Sequence, residues 1–558
     1  MFWSLLRYTF CLLPRCVDVP SEETARIVAA LADRGYHADR EAVTLLARAS
    51  NREHAIDRAV ETAPDDTLVL STEHVERALA DTSPSGGGPD GPGTGRTPDD
   101  TSGDRNGSAA DDNPLVSTGD RQPQSQENEQ SSPVETRGSA GVQEHGTRGE
   151  TSVREQGSTG MEVSGDIQST GTGEYGDFVS VFRDRYERLA DMFGGRVTHR
   201  PAGAVADLSD GSETALVGMV ADAYTTSGGH WRFVLEDTSG TYPCLVMKNS
   251  EHADQARRTL HDEVIAVEGR ISKDGGDDDG ILFVDELHVP EVPHTHSPST
   301  ADRSVRAALV SDIHVGSQEF VADAWTRFAD WLHTDDAADI EYLLVGGDMV
   351  EGVGVYPGQD DELDIVDIYD QYERFSEHLK SVPGDMEIVM IPGNHDAVRL
   401  AEPQPAFDGE LRSIMSAHDA TISANPSTVT IEGVSVLMYH GVSLDELIAE
   451  LSNASYERPA EAMTYLLEKR HLAPQYGGHV RIAPEERDHL VIEEVPDIFH
   501  AGHVHKFGYT THRGVLTVNS GCWQSQTDFQ ASVNLDPDVA YAPIIDLQTL
   551  DLQYAQFV

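Results

Sequence analysis

Residues 81–172 contain no Phe, Tyr, Trp or Cys and consist largely of Gly, Ser, Thr, Asp, Glu, Gln and Pro. Such a stretch cannot bury enough apolar surface to offset the entropy of ordering it. It divides the chain, because whatever folds before it and whatever folds after it must do so separately. The expectation is a disordered linker over 81–172. As a flexible coil of about 90 residues it reaches on the order of 50 Å. The 558 residues therefore do not share one core, and roughly two to four domains are expected.

Residues 1–20 are an unassigned leader, apolar but broken by Arg7, Pro14 and Arg15 and without a small-residue cleavage signal. This pattern favours an upstream start over a secretory peptide. Residues 21–80 turn helical. Ser21 can cap a helix that Gly35 stops, with Ala25, Ile27, Val28, Ala30 and Leu31 on its apolar side. Asp39 and Asn51 can cap two more, and Ser71 to Leu79 makes a fourth. A helical module of about 60 residues is marginal alone and suits docking to another chain.

After the linker, residues 173–200 hold a connecting helix, Phe178 to Phe193, ended by Gly194 and Gly195. Between 201 and 297 come five short β-type runs: Ala215 to Ala221, Trp231 to Glu236, Tyr242 to Met247, Val264 to Ile271 and Ile281 to Val289. A helical interval, Ala253 to Leu260, separates the third from the fourth. Five strands with a helix after the third is the order of an OB-fold β-barrel. OB barrels stack single-strand bases on aromatics, and Tyr224, Trp231, Phe233 and Tyr242 are available. Each of them is expected first to fill the barrel core or an interface. From 298 to 558, apolar strands alternate with helical stretches at Ala322 to His333, Ile368 to Ser381, Leu411 to His418 and Leu444 to Asn453, the pattern of an α/β layered domain.

The charge balance is extreme, with 96 Asp and Glu against 40 Lys and Arg and a formal charge of −56. Such an excess would ordinarily repel nucleic acid. Only Lys248, Lys273, Lys380, Lys469 and Lys506 are lysines, and the other cations are arginine. Depleted lysine with abundant carboxylate is the composition of a protein adapted to concentrated salt. There the screening length is roughly 3 Å at 1 M, and net charge says little about partners. No run of 18 apolar residues is present, so no membrane span is expected. Cys11, Cys16, Cys244 and Cys522 are too few and scattered for a disulfide framework, and a cytoplasmic setting is the default.

Five apolar runs in the last domain end in residues that can bind metal. Ala307 to Val310 leads into Asp312 and His314, and Tyr342 to Val345 into Gly346-Gly347-Asp348. Ile388 to Ile391 leads into Gly393-Asn394-His395-Asp396, Val434 to Tyr439 into His440-Gly441, and Ile498-Phe499 into Gly502-His503-Val504-His505. Strand carboxyl ends are where open α/β sheets gather their sites. A donor set of imidazoles, carboxylates and one amide suits two divalent metal ions, Mn²⁺, Zn²⁺ or Fe²⁺, and without thiolates it is no Cys-rich zinc site. Two ions about 3.5–4 Å apart activate a water and clamp the oxygens of an in-line phosphoryl displacement. They need a bridging carboxylate, and Asp348, alone after its glycines, is the candidate.

The series D-x-H, GGD, GNHD, HG and GHVH resembles the calcineurin-like metallophosphoesterase superfamily. Longer strings narrow the resemblance: Val355-Tyr356-Pro357-Gly358-Gln359, Tyr439-His440-Gly441-Val442-Ser443, Pro496 through His505, and Asn519 through Thr527. These are similar to the small subunit of archaeal family D DNA polymerase, here from a halophilic archaeon, strongly over roughly 200–558 and loosely over 20–80.

The resemblance implies a 3′→5′ exonuclease acting on single-stranded 3′ ends of DNA and proofreading for a separate large catalytic subunit, with Mn²⁺ the first choice of ion. Asp312, His314 and His505 would hold one ion, Asn394, His440 and His503 the other, and Asp348 both. His395 would contact the scissile phosphate or protonate the leaving oxygen. Asp396 would either orient a histidine or cap its loop. The acidic stretch Asp360-Asp361-Glu362 would either border the site or form a solvated surface. Two alternatives stand beside this reading, a non-catalytic scaffold and a stand-alone metallophosphoesterase. All the ligand positions and His395 are filled, which favours the enzyme.

Overall fold

The structure, a computed structural model, describes scattered positions between 31 and 77. It also describes residues 161–558 apart from 165–166, 168–172, 274–279, 357, 417–418 and 479. The leader 1–20, the linker up to 160 and an acidic run, Asp277–Asp279, expected as a hairpin turn, lie outside the described residues. The chain forms two compact units, Leu13–Ser152 and, with the first residues, Val153–Val558. In the smaller unit Leu31, Ala42, Leu46, Ala55, Ile56, Ala59 and Val75 are helical and buried. The module also holds a parallel pair of two-residue strands, His37–Ala38 with Val69–Leu70. The all-helical reading lacked this pair because two residues carry no periodicity.

In the larger unit the first strand, β1 (Met161–Ser164), corrects the end of the linker at 172. It adds antiparallel to the edge strand Ser427–Ile431, Ser164 lying opposite Thr428, 264 residues away. Four residues without an aromatic cannot fold alone, but an existing sheet edge supplies their partners. Helix α1 (Tyr175–Asp191) follows.

Strands β2 (Glu213–Thr225), β3 (Trp231–Asp237), β4 (Gly240–Val246), β5 (Val264–Ser272) and β6 (Ile281–His288) close into a barrel in the order β2-β3-β4-β6-β5. A short helix, Ala253–Arg257, follows β4. This is the order expected of an OB barrel. Leu216, Val220, Phe233, Leu235, Tyr242, Ile265 and Val267 fill its core. Phe233 and Tyr242 are therefore core residues, whereas Tyr224 is exposed under the Arg232 guanidinium, 5.8 Å from its ring. Gly269 sits at a register shift between β5 and β6, where any Cβ would collide with the Phe283 carbonyl.

Apart from a parallel pair of two-residue strands, Ala401–Glu402 with Arg481–Ile482, the remaining strands are β7 (Arg306–Val310), β8 (Ile340–Val345), β9 (Glu387–Met390), β10 (Thr421–Ile422), β11 (Ser427–Ile431), β12 (Val434–Met438), β13 (Ile498–Ala501), β14 (Phe507–His512), β15 (Val515–Ser520), β16 (Tyr541–Asp546) and β17 (Leu552–Gln556). They build two six-stranded sheets, β10-β9-β8-β7-β16-β17 and β14-β15-β13-β12-β11-β1. Ala307, Leu309, Tyr342 and Leu344 meet Val429, Val436, Met438 and Ile498 in a core between the sheets. The alternate residues Ala308, Val310, Leu343 and Val345 face helices α2 (Ala322–Leu332) and α3 (Ile368–Leu379). Burial on both faces explains why these strands read as continuous apolar runs. Helices α4 (Ser443–Glu450) and α5 (Pro459–Lys469) cover the second sheet.

Barrel and sheets are joined by α1, whose Leu189 packs with Val217 and Ala266 of the barrel. Its fully buried Arg185 donates from Nε to Asp488, 2.6 Å away, and from a terminal nitrogen to the Pro474 carbonyl, 2.7 Å away. A second joint is the buried ion pair of Lys469 with Glu263. Among the described residues no helix is long and apolar enough to cross a membrane.

Candidate metal centre

Strands β7, β8 and β9 are parallel and end level, Val310 opposite Val345 and Val345 opposite Met390. In the second sheet β12 and β13 are also parallel, with Met438 opposite His500. All five loops that carry ligand candidates therefore leave strand ends that the two cores hold rigid. Backbone conformation does the final aiming. Asp312, His314, Asp348, His503 and His505 have φ between 50° and 71°, a left-handed region that costs a non-glycine residue about 1–3 kcal/mol and persists where the surroundings impose it. A side chain on Gly393 would strike the Asp348 carboxylate, and one on Gly502 the Asp312 carboxylate. Both positions need glycine because the ligands approach the backbone closely.

Two groups result, each with donor atoms within 4.8 Å of one another: Asp312, His314 and His505, and Asp348, His440 and His503. In the first, the Nε2 atoms of His314 and His505 face each other at 3.1 Å, and His505 Nε2 is 3.4 Å from Asp312 Oδ1. In the second, His440 Nε2 is 3.2 Å from Asp348 Oδ2 and 3.0 Å from Asn394 Oδ1. Asp348 Oδ2 also lies 3.8 Å from His314 Nε2, so this carboxylate stands between the groups. His440 Nδ1 lies 2.9 Å from the Gly346 carbonyl, which can only accept. Nδ1 then carries a proton, and Nε2 faces two oxygen acceptors, which either a second proton or a cation in its place would satisfy.

Several supporting residues carry no mark in the sequence pattern. Glu351 Oε2 sits 2.8 Å from His314 Nδ1, and the Glu351 carbonyl accepts from His395 Nδ1 at 2.8 Å. Glu351 is held in turn by Gln359, Gln524 and Tyr356. Gln359 and Tyr356 lie in the Val355–Gln359 string and Gln524 in the Asn519–Thr527 string, so those strings were the available signal. Asp445 lies 3.0 Å from His503 Nε2, and Gln530 lies 2.9 Å from His505 Nδ1. Nothing in their local sequence distinguishes either one.

Asp396 takes the second of its two expected roles. Its carboxylate accepts from the Gly393 and Met349 amides and from the Tyr372 hydroxyl, closing the loop instead of orienting a histidine. None of these three donors is an imidazole. Asp360 and Asp361 are exposed, the solvated alternative, whereas half-buried Glu362 accepts from the Tyr356 hydroxyl at 3.0 Å, which also reaches Glu351, and so borders the site.

Electrostatics bind the pocket together. Burial raises the Asp348 carboxyl, but His440 and His395 outweigh it and hold the group well below the usual carboxylate range. Asp312 is likewise raised by burial and brought down to about 2 by the His505 hydrogen bond and charge. Burial alone would lower His440, yet Asp348 carries it to about 10. Asp396, raised by burial and then by Asp348, reaches about 7.

The B-subunit family of DNA polymerases alpha and epsilon matches residues 308–509. The chain is 56% identical over 542 residues to a DNA polymerase II small subunit of Halobacterium salinarum, covering 97% of this chain and 100% of that protein. A DNA polymerase II small subunit of Archaeoglobus fulgidus is 42% identical over 364 residues, covering 64% of this chain and 72% of the relative. Among solved structures, an archaeal phosphodiesterase overlaps 45% of this chain and 99% of its own at 11% identity, with a TM-score of 0.25 that is too low to bear on the fold.

Proposed function

The chain belongs to the family of archaeal DNA polymerase II small subunits, and from that premise we propose that its strand-end pocket is a metal-dependent 3′→5′ exonuclease site. The single observation supporting this reading is the convergence of seven donors from five separate loops into two adjacent groups divided by Asp348. The two sheets and their outer helices would then form a calcineurin-like phosphoesterase domain. The partner is the large catalytic subunit of the polymerase, which adds nucleotides while this chain, in the cytoplasm, removes mispaired single-stranded 3′ ends.

Asp312, His314 and His505 would hold one divalent ion, Asn394, His440 and His503 another, and Asp348 both. Mn²⁺ is the first choice, with Zn²⁺ or Fe²⁺ as alternatives. Bound there, such ions supply an activated water and neutralise charge at the phosphoryl centre. The protein's own groups do the rest. The Glu351 carbonyl keeps one proton of His395 on Nδ1, so that the cationic ring would pass its second proton, on Nε2, to the departing 3′ oxygen and be left neutral. The His395 amide donates to Asp348 Oδ1 at 2.8 Å, locking the catalytic loop to the bridging carboxylate.

The match to the alpha and epsilon polymerase family favours a second, scaffolding role. A purely structural protein, however, has no use for five strained donor positions. The test is degradation of 3′-mismatched, 5′-labelled DNA by the full chain in concentrated salt with Mn²⁺. Loss of activity in Asp348→Ala and His440→Ala supports the reading. Unchanged activity in either variant overturns it.

A further inference from the structure

Four aromatic rings cluster around Phe507, two residues beyond the ligand candidate His505. Phe507 stacks on Tyr541 with centroids 4.9 Å apart and planes at 13°, and meets Tyr554 at 4.9 Å and Tyr509 at 5.9 Å; Tyr541 and Tyr554 are 5.8 Å apart. They lie where β14, the edge of one sheet, comes beside β16 and β17 at the edge of the other. Tyr509 is 49% exposed and Tyr554 54% exposed. A plug for the sandwich edge would turn its rings inward and could be aliphatic. Here half of two tyrosines is left in water.

The cluster is continuous with the candidate metal centre. Phe507 follows the ligand candidate His505 by two residues, at most about 7 Å along the chain. The Phe507 amide donates to Asp538 Oδ2 at 2.9 Å, and the Asp538 amide donates to the His505 carbonyl at 2.8 Å. The rings and the pocket wall are thus one hydrogen-bonded piece. A stacked strand advances about 3.4 Å per nucleotide, so the backbone step from His505 to Phe507 is on the scale of two nucleotides. Phe529, 66% exposed, adds another ring on the short helix whose Gln530 touches His505.

We propose that Phe507, Tyr509, Tyr541 and Tyr554 form a stacking platform for the bases of single-stranded DNA whose 3′ end lies in the metal pocket; this rests on the nuclease reading above. The charge balance explains why rings would be used. Phosphate contacts lose strength steeply with salt, and the chain carries 40 Lys and Arg against 96 Asp and Glu. Stacking is worth about 1–3 kcal/mol per base and does not depend on phosphate charge.

The test compares Tyr509→Phe/Tyr554→Phe, which keeps both rings, with Tyr509→Leu/Tyr554→Leu, which keeps the apolar bulk without them. Each full-length variant is assayed in about 1 M salt for anisotropy of labelled oligo(dT) in EDTA, for exonuclease kinetics with Mn²⁺, and for hydrolysis of bis(p-nitrophenyl) phosphate. The Leu pair should bind oligo(dT) more weakly by about tenfold or more and raise KM on single strands equally. Its turnover of the small ester should be unchanged, and the Phe pair should match the parent. Equal behaviour of Leu and Phe pairs would make the rings a mere seal and overturn the platform. So would unchanged oligo(dT) binding with lost co-purification of the large subunit, which would assign the patch to a protein partner. If the parent cleaves neither DNA nor the ester, the nuclease reading fails, while the EDTA binding comparison still decides the platform.

Discussion

From Glu213 to His288 the barrel fills its interior with Leu, Val, Ile, Phe and Tyr, and among its described non-glycine residues only Asp262 has a left-handed backbone. At the pocket, five of the seven ligand candidates are left-handed, and Asp312, Asp348 and His440 are buried, His440 paired with Asp348 and Asp312 with His505. Both regions are made of short strands and tight loops. The barrel's residues agree locally with the shape they adopt. The pocket's do not, and the surrounding cores must hold them there. Removing a barrel residue should therefore cost stability, and removing a pocket residue should cost chemistry.

The largest separation is expected from His395→Ala. Loss of a positioned proton donor lowers turnover by about 10²–10⁴-fold, while metal content and the unfolding midpoint stay at parental values. Activity within a few-fold of the parent would end the proton-donor role. The converse variant is Phe233→Ala. A fully buried ring lost from the barrel core should cost about 3–5 kcal/mol in denaturant unfolding. The surviving folded molecules should hydrolyse a small phosphodiester normally, and a loss of that turnover would show that barrel and pocket are not separable.

A smaller effect should come from metal linkage. Mn²⁺ at a hundred times its dissociation constant should stabilise the parent by about 2.7 kcal/mol. Asp348→Ala should abolish that shift, and its persistence would remove Asp348 from the ligand set. An effect of similar size concerns acid. Burial and then Arg185 lower His471 to about 4 in the folded chain, against an ordinary imidazole near 6.5. Its contribution is complete above about pH 6.5 and is lost as the pH falls through about 4. Asp488, held well below the usual range by Arg185 and His471 despite its burial, continues the loss at lower pH. A midpoint that fell between pH 6.5 and 4 equally in His471→Gln would assign that limb elsewhere.

Much of this was legible before folding. The five barrel runs, the helix α1 and the strand–ligand alternation all fell where periodicity placed them, because their residues satisfy local preference and burial at once. The ligand candidates were legible because strands end abruptly in Gly, Asp, Asn and His. The strand Met161–Ser164 was not, since its pairing partner lies in a distant edge. The role of Asp396 was left open because a carboxylate next to a histidine in sequence need not face it in space. Glu351 escaped notice because nothing near it in the chain shows that it reaches His314 and His395 together.

Sequence alone determined which stretches could form strands and helices and which side chains stood at the strand ends, since those follow from spacing and residue chemistry over a few neighbours. Tertiary structure decided that the ends are level, that Asp348 stands between the two donor groups, and that five ligand candidates take a backbone conformation they would avoid in isolation. It also gathered Phe507, Tyr509, Tyr541 and Tyr554 beside His505. Those outcomes depend on register between strands far apart in the chain and on cores rigid enough to impose strain, neither of which a local pattern contains.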